Sequence, residues 1–184
     1  MLQTEENIIY FSPYTQICQH GESQQQHGAS GSEDCPFCQI ANNQTDAEIL
    51  LSDDELLCFR DIKPSATHHY LVVSRTHINN CKTLQGDDIP LVERMEKMGR
   101  SILEKNKVSN LNDVRMGFHV PPFSSVPHLH LHALAPASTM NFKSQLRYGP
   151  QSHWFIPRII AFWIYLKLNS NLKDSLSLSP DLED

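Results

Sequence analysis

Residues His128 to Leu134 read His-Leu-His-Leu-His-Ala-Leu, a strict alternation of imidazole and apolar side chain. Side chains of a β-strand leave opposite faces at every step, so this stretch is a strand with two unlike faces. His128, His130 and His132 share one face, and Leu129, Leu131 and Ala133 share the other. The leucine face demands an apolar layer to cover it. The histidine face then looks toward a cleft, with neighbouring imidazoles carried on Cα atoms about 7 Å apart. Such a row supports three chemistries: a merely polar strand face, a metal site completed by a third ligand, or nucleophilic catalysis by an imidazole.

The covering layer is legible upstream. From Asp87 to about Asn106, Ile89, Val92, Met95, Met98 or Gly99, Ile102 and Leu103 recur at three- and four-residue steps among charged residues. That pattern is one apolar stripe on a solvated helix. Glu48–Leu51 and Leu56–Arg60 read as strands around the polar turn Ser52-Asp53-Asp54, and His69–Ser74 as a buried strand. Val114–Val120 is a further strand, ended by Pro121-Pro122, and Ile40-Ala41 suggest a short helix near the start of the folded part. Several strands with one substantial helix predict an α+β domain: an antiparallel β-sheet of about five strands, one long helix and a short N-terminal helix.

Composition narrows the partners. Fifteen Lys plus Arg against twenty-one Asp plus Glu leave a formal charge of −6, which excludes a basic clamp on a nucleic acid polymer but not a single nucleotide. The longest apolar run, Ile159–Leu166, is too short for a membrane span, which needs about 20 residues. Gln19–Asp34 holds a single hydrophobic residue, Ala29, and reads as part of a flexible leader, residues 1–34. The cysteines number five (18, 35, 38, 58 and 81). An odd count with no apolar signal segment argues for a reducing compartment rather than a disulfide scaffold.

HLHLHAL, together with CPFCQI, FRDIKPSATHHYLVVS, RTHI, VRMGFHVPPFSS and HLHLHALAP, resembles the histidine triad (HIT) family, in its nucleotide-binding branch, over roughly Cys35 to Pro136. The resemblance implies a HIT-like fold over residues 35–148, followed by a divergent extension, 149–184. It implies an adenosine 5′-monophosphoramidase that forms a covalent nucleotidyl-histidine on a purine nucleoside phosphoramidate. The alternatives are a nucleotidyl transferase or dinucleoside polyphosphate hydrolase with the same nucleophile, or a nucleotide-binding interaction module.

By the same resemblance His130 is the nucleophile, its tautomer held by the carbonyl of His128. His132 contacts the phosphate, His69 is the fourth histidine, and Ser125 sits near the leaving group. Asp61 meets the ribose and Ile62 the base, with His130, Leu131 and His132 completing the nucleotide site. His68 is left as a solvent-facing neighbour. The family loop that carries an Asn and several glycines is replaced here by His119-Val120-Pro121-Pro122-Phe123-Ser124. Cys35-Pro36-Phe37-Cys38 reads alone as a redox pair, half a metal site or two buried thiols. Relatives that keep the pair add histidines matching His77 and His128, which implies a structural zinc on Cys35, Cys38, His77 and His128. No cofactor is expected for catalysis. The remaining expectations are a homodimer or higher homo-oligomer with sheets continuous across the interface, a purine nucleotide substrate, and a cytoplasmic, also nuclear, location. The run Ile159–Leu166 departs from the family pattern and fits an alternative exon, a read-through gene model or a partner surface.

Overall fold

A computed structural model describes residues 34–156. Residues 1–33 of the expected leader 1–34 and the apolar run Ile159–Leu166 lie outside the described residues. The elements run α1 (Pro36–Ala41), β1 (Ile49–Ser52), β2 (Leu56–Arg60), β3 (His68–Ser74), α2 (Ile89–Lys105), β4 (Arg115–His119), β5 (His130–Ala135), α3 (Phe142–Tyr148) and β6 (Phe155–Ile156). The strands form one antiparallel sheet in the order β1-β2-β3-β5-β4-β6.

Local chemistry starts and stops these elements. Pro36 opens α1, where its missing N–H costs nothing. The Asp53 carboxylate accepts from the backbone N–H groups of Glu55 and Leu56 at 2.9 and 2.7 Å, which makes the β1–β2 turn an Asx turn. The α2 stripe buries Val92, Met95, Gly99, Ile102 and Leu103 against Leu56, Tyr70, Val72, Leu131 and Ala133 of the sheet. Full burial of each large apolar chain contributes about 1.5–3 kcal/mol, so this layer is the main source of stability. Gly99 permits the close approach: a Cβ there would stand 3.1 Å from the Met116 sulfur.

The opposite face of the sheet is split. At one end α1 covers it, with Cys35, Phe37 and Cys38 packed on Leu57, Phe59, Leu71 and Val73. At the other end lie Leu134, Ala137, Met140, Tyr148 and Phe155. His69, His119, His130 and His132 are buried between the two.

Two features depart from the sequence reading. The sheet has a sixth strand, β6, paired through Phe118↔Ile156 and His119↔Phe155; Gly117 allows it, since a Cβ there would run into the Ile156 carbonyl. The strand expected from His128 begins only at His130. The His128 N–H donates to the Val126 carbonyl at 2.9 Å and the Leu129 N–H to that of Ile78 at 2.6 Å, so the chain turns before it joins the ladder. His128 therefore stands outside the ladder, while its ring stays beside that of His130 against Phe37.

Candidate active site

The register of β3 on β5 pairs Leu71 with His132 and His69 with Leu134, and that of β4 on β5 pairs Gly117 with His132. All these residues share one face, so three separate strands converge their histidines on a single buried cluster. His130 stands beside it with its Nδ1–H 2.6 Å from the carbonyl oxygen of His128. That bond leaves Nε2 as the lone-pair nitrogen. Phe37 of α1 meets the His130 ring edge-on at 5.2 Å between centroids, and His132 does so at 4.9 Å. Burial pulls the His130 imidazole below its ordinary pKa, while the His128 carbonyl and Asp61 oppose the fall. The ring is a neutral base with one nitrogen bare, the requirement for an imidazole nucleophile.

His132 sits between two further imidazoles. Its Nδ1 is 2.9 Å from His69 Nε2 and its Nε2 is 2.9 Å from His119 Nδ1. The sequence reading places His132 against the phosphate; in the structure its two ring nitrogens face the imidazoles of His69 and His119. His69 Nδ1 accepts from the Ser65 N–H at 3.1 Å, and Asp61 Oδ2 lies 3.3 Å from His69 Nε2 and 3.9 Å from His132 Nδ1. Asp61 Oδ1 accepts from the Lys63 N–H at 2.8 Å. The carboxylate is thus built into the histidine cluster as well as facing solvent.

The cluster is held uncharged. Burial is the first cause for each member. It takes His69 down to about 4 against the pull of Asp61, and His119 to about 3 with help from the Arg147 charge. His132 falls well below its ordinary range, again by burial, with His130, His119 and His69 adding to it.

The other expected residues divide. Ile62 is 92% exposed beside Asp61, an apolar surface open to a base. Ser125 is exposed in the loop before His128. The Leu131 side chain is fully buried under α2, so any part it has in nucleotide binding is confined to its main chain; period two sends it to the face opposite His130. His68 lies outside the cluster, its Nδ1 3.1 Å from the Tyr70 hydroxyl.

Three residues of the cluster escape the sequence reading. His119 ends β4, and the Arg147 Nε–H donates to its Nε2 at 3.2 Å. Tyr148 packs its ring on His69, His119 and His132 at 5.5, 5.1 and 5.3 Å. The only sequence signal was an unassigned histidine where the family carries an Asn; Arg147 and Tyr148 belong to no motif.

A second constellation lies where α1 meets the sheet. His128 Nδ1 is 3.2 Å from Cys35 Sγ and 3.5 Å from Cys38 Sγ, and His77 Nδ1 is 3.2 Å from Cys38 Sγ. The four ligand atoms all fall within 4.8 Å of one another. Zinc bonds of about 2.3 Å to sulfur and 2.0 Å to nitrogen set tetrahedral S···N separations near ~3.5 Å, which matches. The far nitrogens are already committed: His128 Nε2–H donates to the Ser74 carbonyl at 2.8 Å, and His77 Nε2 is 3.1 Å from Asn79 Oδ1. That arrangement turns both Nδ1 lone pairs toward the thiols, as metal-binding histidines require. The donor set fits a structural zinc.

Comparisons with known proteins bear on the fold and the activity. The family described as scavenger mRNA decapping enzyme C-term binding matches residues 34–148. An adenosine 5′-monophosphoramidase of Xenopus tropicalis is 54% identical over 123 residues, 66% of this chain and 80% of that relative. A bifunctional adenosine 5′-phosphosulfate phosphorylase/adenylylsulfatase of Arabidopsis thaliana is 41% identical over 109 residues, 58% of this chain and 73% of that relative. Among solved structures, a HIT family hydrolase from Legionella pneumophila superposes with a TM-score of 0.53 at 30% identity, covering 55% of this chain and 92% of its own.

Proposed function

Because the chain belongs to the histidine triad family, we propose that it is an adenosine 5′-monophosphoramidase, cleaving the P–N bond of purine nucleoside phosphoramidates such as AMP-amide and AMP-lysine. His130 Nε2 attacks the α-phosphorus. The P–N bond breaks, and the amine leaves after taking up a proton. Water then attacks the nucleotidyl-imidazole, the P–Nε2 bond breaks, and AMP is released. The observation that carries this reading is the His130 Nδ1–H to His128 carbonyl bond at 2.6 Å, which leaves one lone pair for the attack. Asp61 takes the ribose hydroxyls, Ile62 the base, and Ser125 stands on the leaving-group side.

The Arabidopsis relative, named for adenosine 5′-phosphosulfate, supports a second reading in which the same nucleophile serves a different leaving group. Turnover of AMP-amide, AMP-lysine, diadenosine polyphosphates, nucleotide sugars and adenosine 5′-phosphosulfate under one set of conditions separates the two. A kcat/KM for the phosphoramidates at or below that for the others overturns the first reading.

The same proposal includes a structural zinc on Cys35, Cys38, His77 and His128, supported by the S···N separations above. The ion would pin α1 to the sheet and supply no step of the reaction. It also includes a homodimer or higher homo-oligomer, and a cytoplasmic and nuclear location. No helix among the described residues is long and apolar enough to cross a membrane.

A further inference from the structure

The three imidazoles His69, His132 and His119 form a line closed by a donor at each end. At one end the Ser65 N–H donates to His69 Nδ1. A neutral His69 therefore carries its proton on Nε2, pointing at His132. At the other end the Arg147 Nε–H donates to His119 Nε2. A neutral His119 therefore carries its proton on Nδ1, also pointing at His132. His132 is approached by an N–H from both sides, each at 2.9 Å, and a neutral imidazole accepts on only one nitrogen. The line holds one proton more than its own contacts can use.

Asp61 resolves the conflict. Its Oδ2 lies 3.3 Å from His69 Nε2, within reach of that N–H, and 3.9 Å from His132 Nδ1, where its negative charge favours a proton without a hydrogen bond. No second acceptor faces His119 Nδ1 among the described contacts, so His119 takes the lone pair on His132 Nε2. His132 then carries its proton on Nδ1, toward Asp61. We infer that His119, oriented by Arg147, is a positioning residue that sets the tautomer of His132 and holds that ring against the nucleophile.

The packing is consistent with a fixed ring. His119 lies edge-on to His132 at 4.5 Å between centroids, and Tyr148 and Phe155 close on it at 5.1 and 5.4 Å. A metal bridging His119, His130 and His132, whose ligand atoms also converge, is disfavoured here because the Arg147 cation lies against His119.

Long-range proton–nitrogen NMR correlations on the full chain read the tautomer directly. The wild type is expected to show His132 protonated on Nδ1. In His119→Leu the donor to Nε2 is gone, His69 donates to Nδ1, and His132 switches to the Nε2–H form. His119→Asn keeps an N–H at the same branch of the side chain and retains the Nδ1–H form. The rate effect rests on the phosphoramidase reading: kcat for AMP-amide falls about tenfold or more in His119→Leu with KM within about twofold, and His119→Asn restores most of the loss. If His119→Leu does not fold, Arg147→Met frees His119 Nε2 and produces the same switch. A His132 that keeps its proton on Nδ1 in His119→Leu, or in Arg147→Met, overturns the inference. So does equal loss of kcat in the Leu and Asn variants. A wild type with no phosphoramidase turnover but with the tautomer switch refutes the proposed activity and leaves this inference standing.

Discussion

The Nδ1 of His130 and the carbonyl oxygen of His128 are 2.6 Å apart, although the two side chains serve different sites. The turn at Val126–His128 aims the His128 ring at the α1 cysteines and leaves its carbonyl facing His130. One residue thereby couples the candidate metal site to the nucleophile through its main chain. Because that link is main-chain, a side-chain change at the metal site leaves the carbonyl in place and the two sites can be tested separately.

His130→Ala is expected to lower turnover of AMP-amide by at least about a thousandfold, since the attacking atom is lost. Calorimetry should show AMP affinity within a few-fold of wild type. Turnover near wild type in the variant contradicts the covalent mechanism.

Asp61→Ala removes the ribose acceptor and is expected to raise the Kd for AMP about tenfold, the worth of one or two hydrogen bonds. Equal AMP affinity in variant and wild type would reduce Asp61 to a partner of His69 and the Lys63 N–H.

His69 and His119 are held at about 4 and about 3 by burial, below the ordinary value near 6.5 of an unfolded histidine. Between those limits the unfolded chain binds more protons than the folded one. Stability is therefore full above about pH 6.5 and is lost as pH falls toward the folded values, by on the order of 1–2 kcal/mol per histidine between pH 7 and 5. Thermal unfolding at pH 7, 6 and 5 should show Tm falling at each step. A flat Tm over this range means the cluster is already charged in the fold.

Purified in reducing buffer without chelator, the protein should carry about one zinc per chain. Cys35→Ser/Cys38→Ser should lose the metal and lower the melting temperature, because metal binding is coupled to folding. Its phosphoramidase rate should stay within about tenfold of wild type, as His130 is tied to the carbonyl of His128 and not to its ring. A zinc-free wild type rejects the site. Loss of catalysis on gentle metal removal without unfolding makes the metal catalytic.

Sedimentation at micromolar concentration should give a homodimer or a larger species. Among the described residues β6 pairs with β4 only at Phe118 and His119, so the Arg115–Met116 end of that edge is where a second copy would pair. A monomer under these conditions contradicts the assembly.

The alternation from His128 to Leu134 was enough to make a strand and to assign Leu131 and Ala133 to the core. It was also enough to set His130 and His132 on the opposite face, because strand periodicity is a local property of the chain. The α2 stripe was readable for the same reason. The family motifs led to the four residues whose ligand atoms meet at α1. Periodicity assigns a face; it does not say where a strand starts or what lies across from it. Only the tertiary structure decided that the ladder starts at His130, with the N–H groups of His128 and Leu129 bonded to Val126 and Ile78 instead. Only it brought His119, Arg147 and Tyr148 onto His132. Those contacts depend on the register of β4 against β5 and on the docking of α3 and β6, which are settled by packing between segments far apart in the chain.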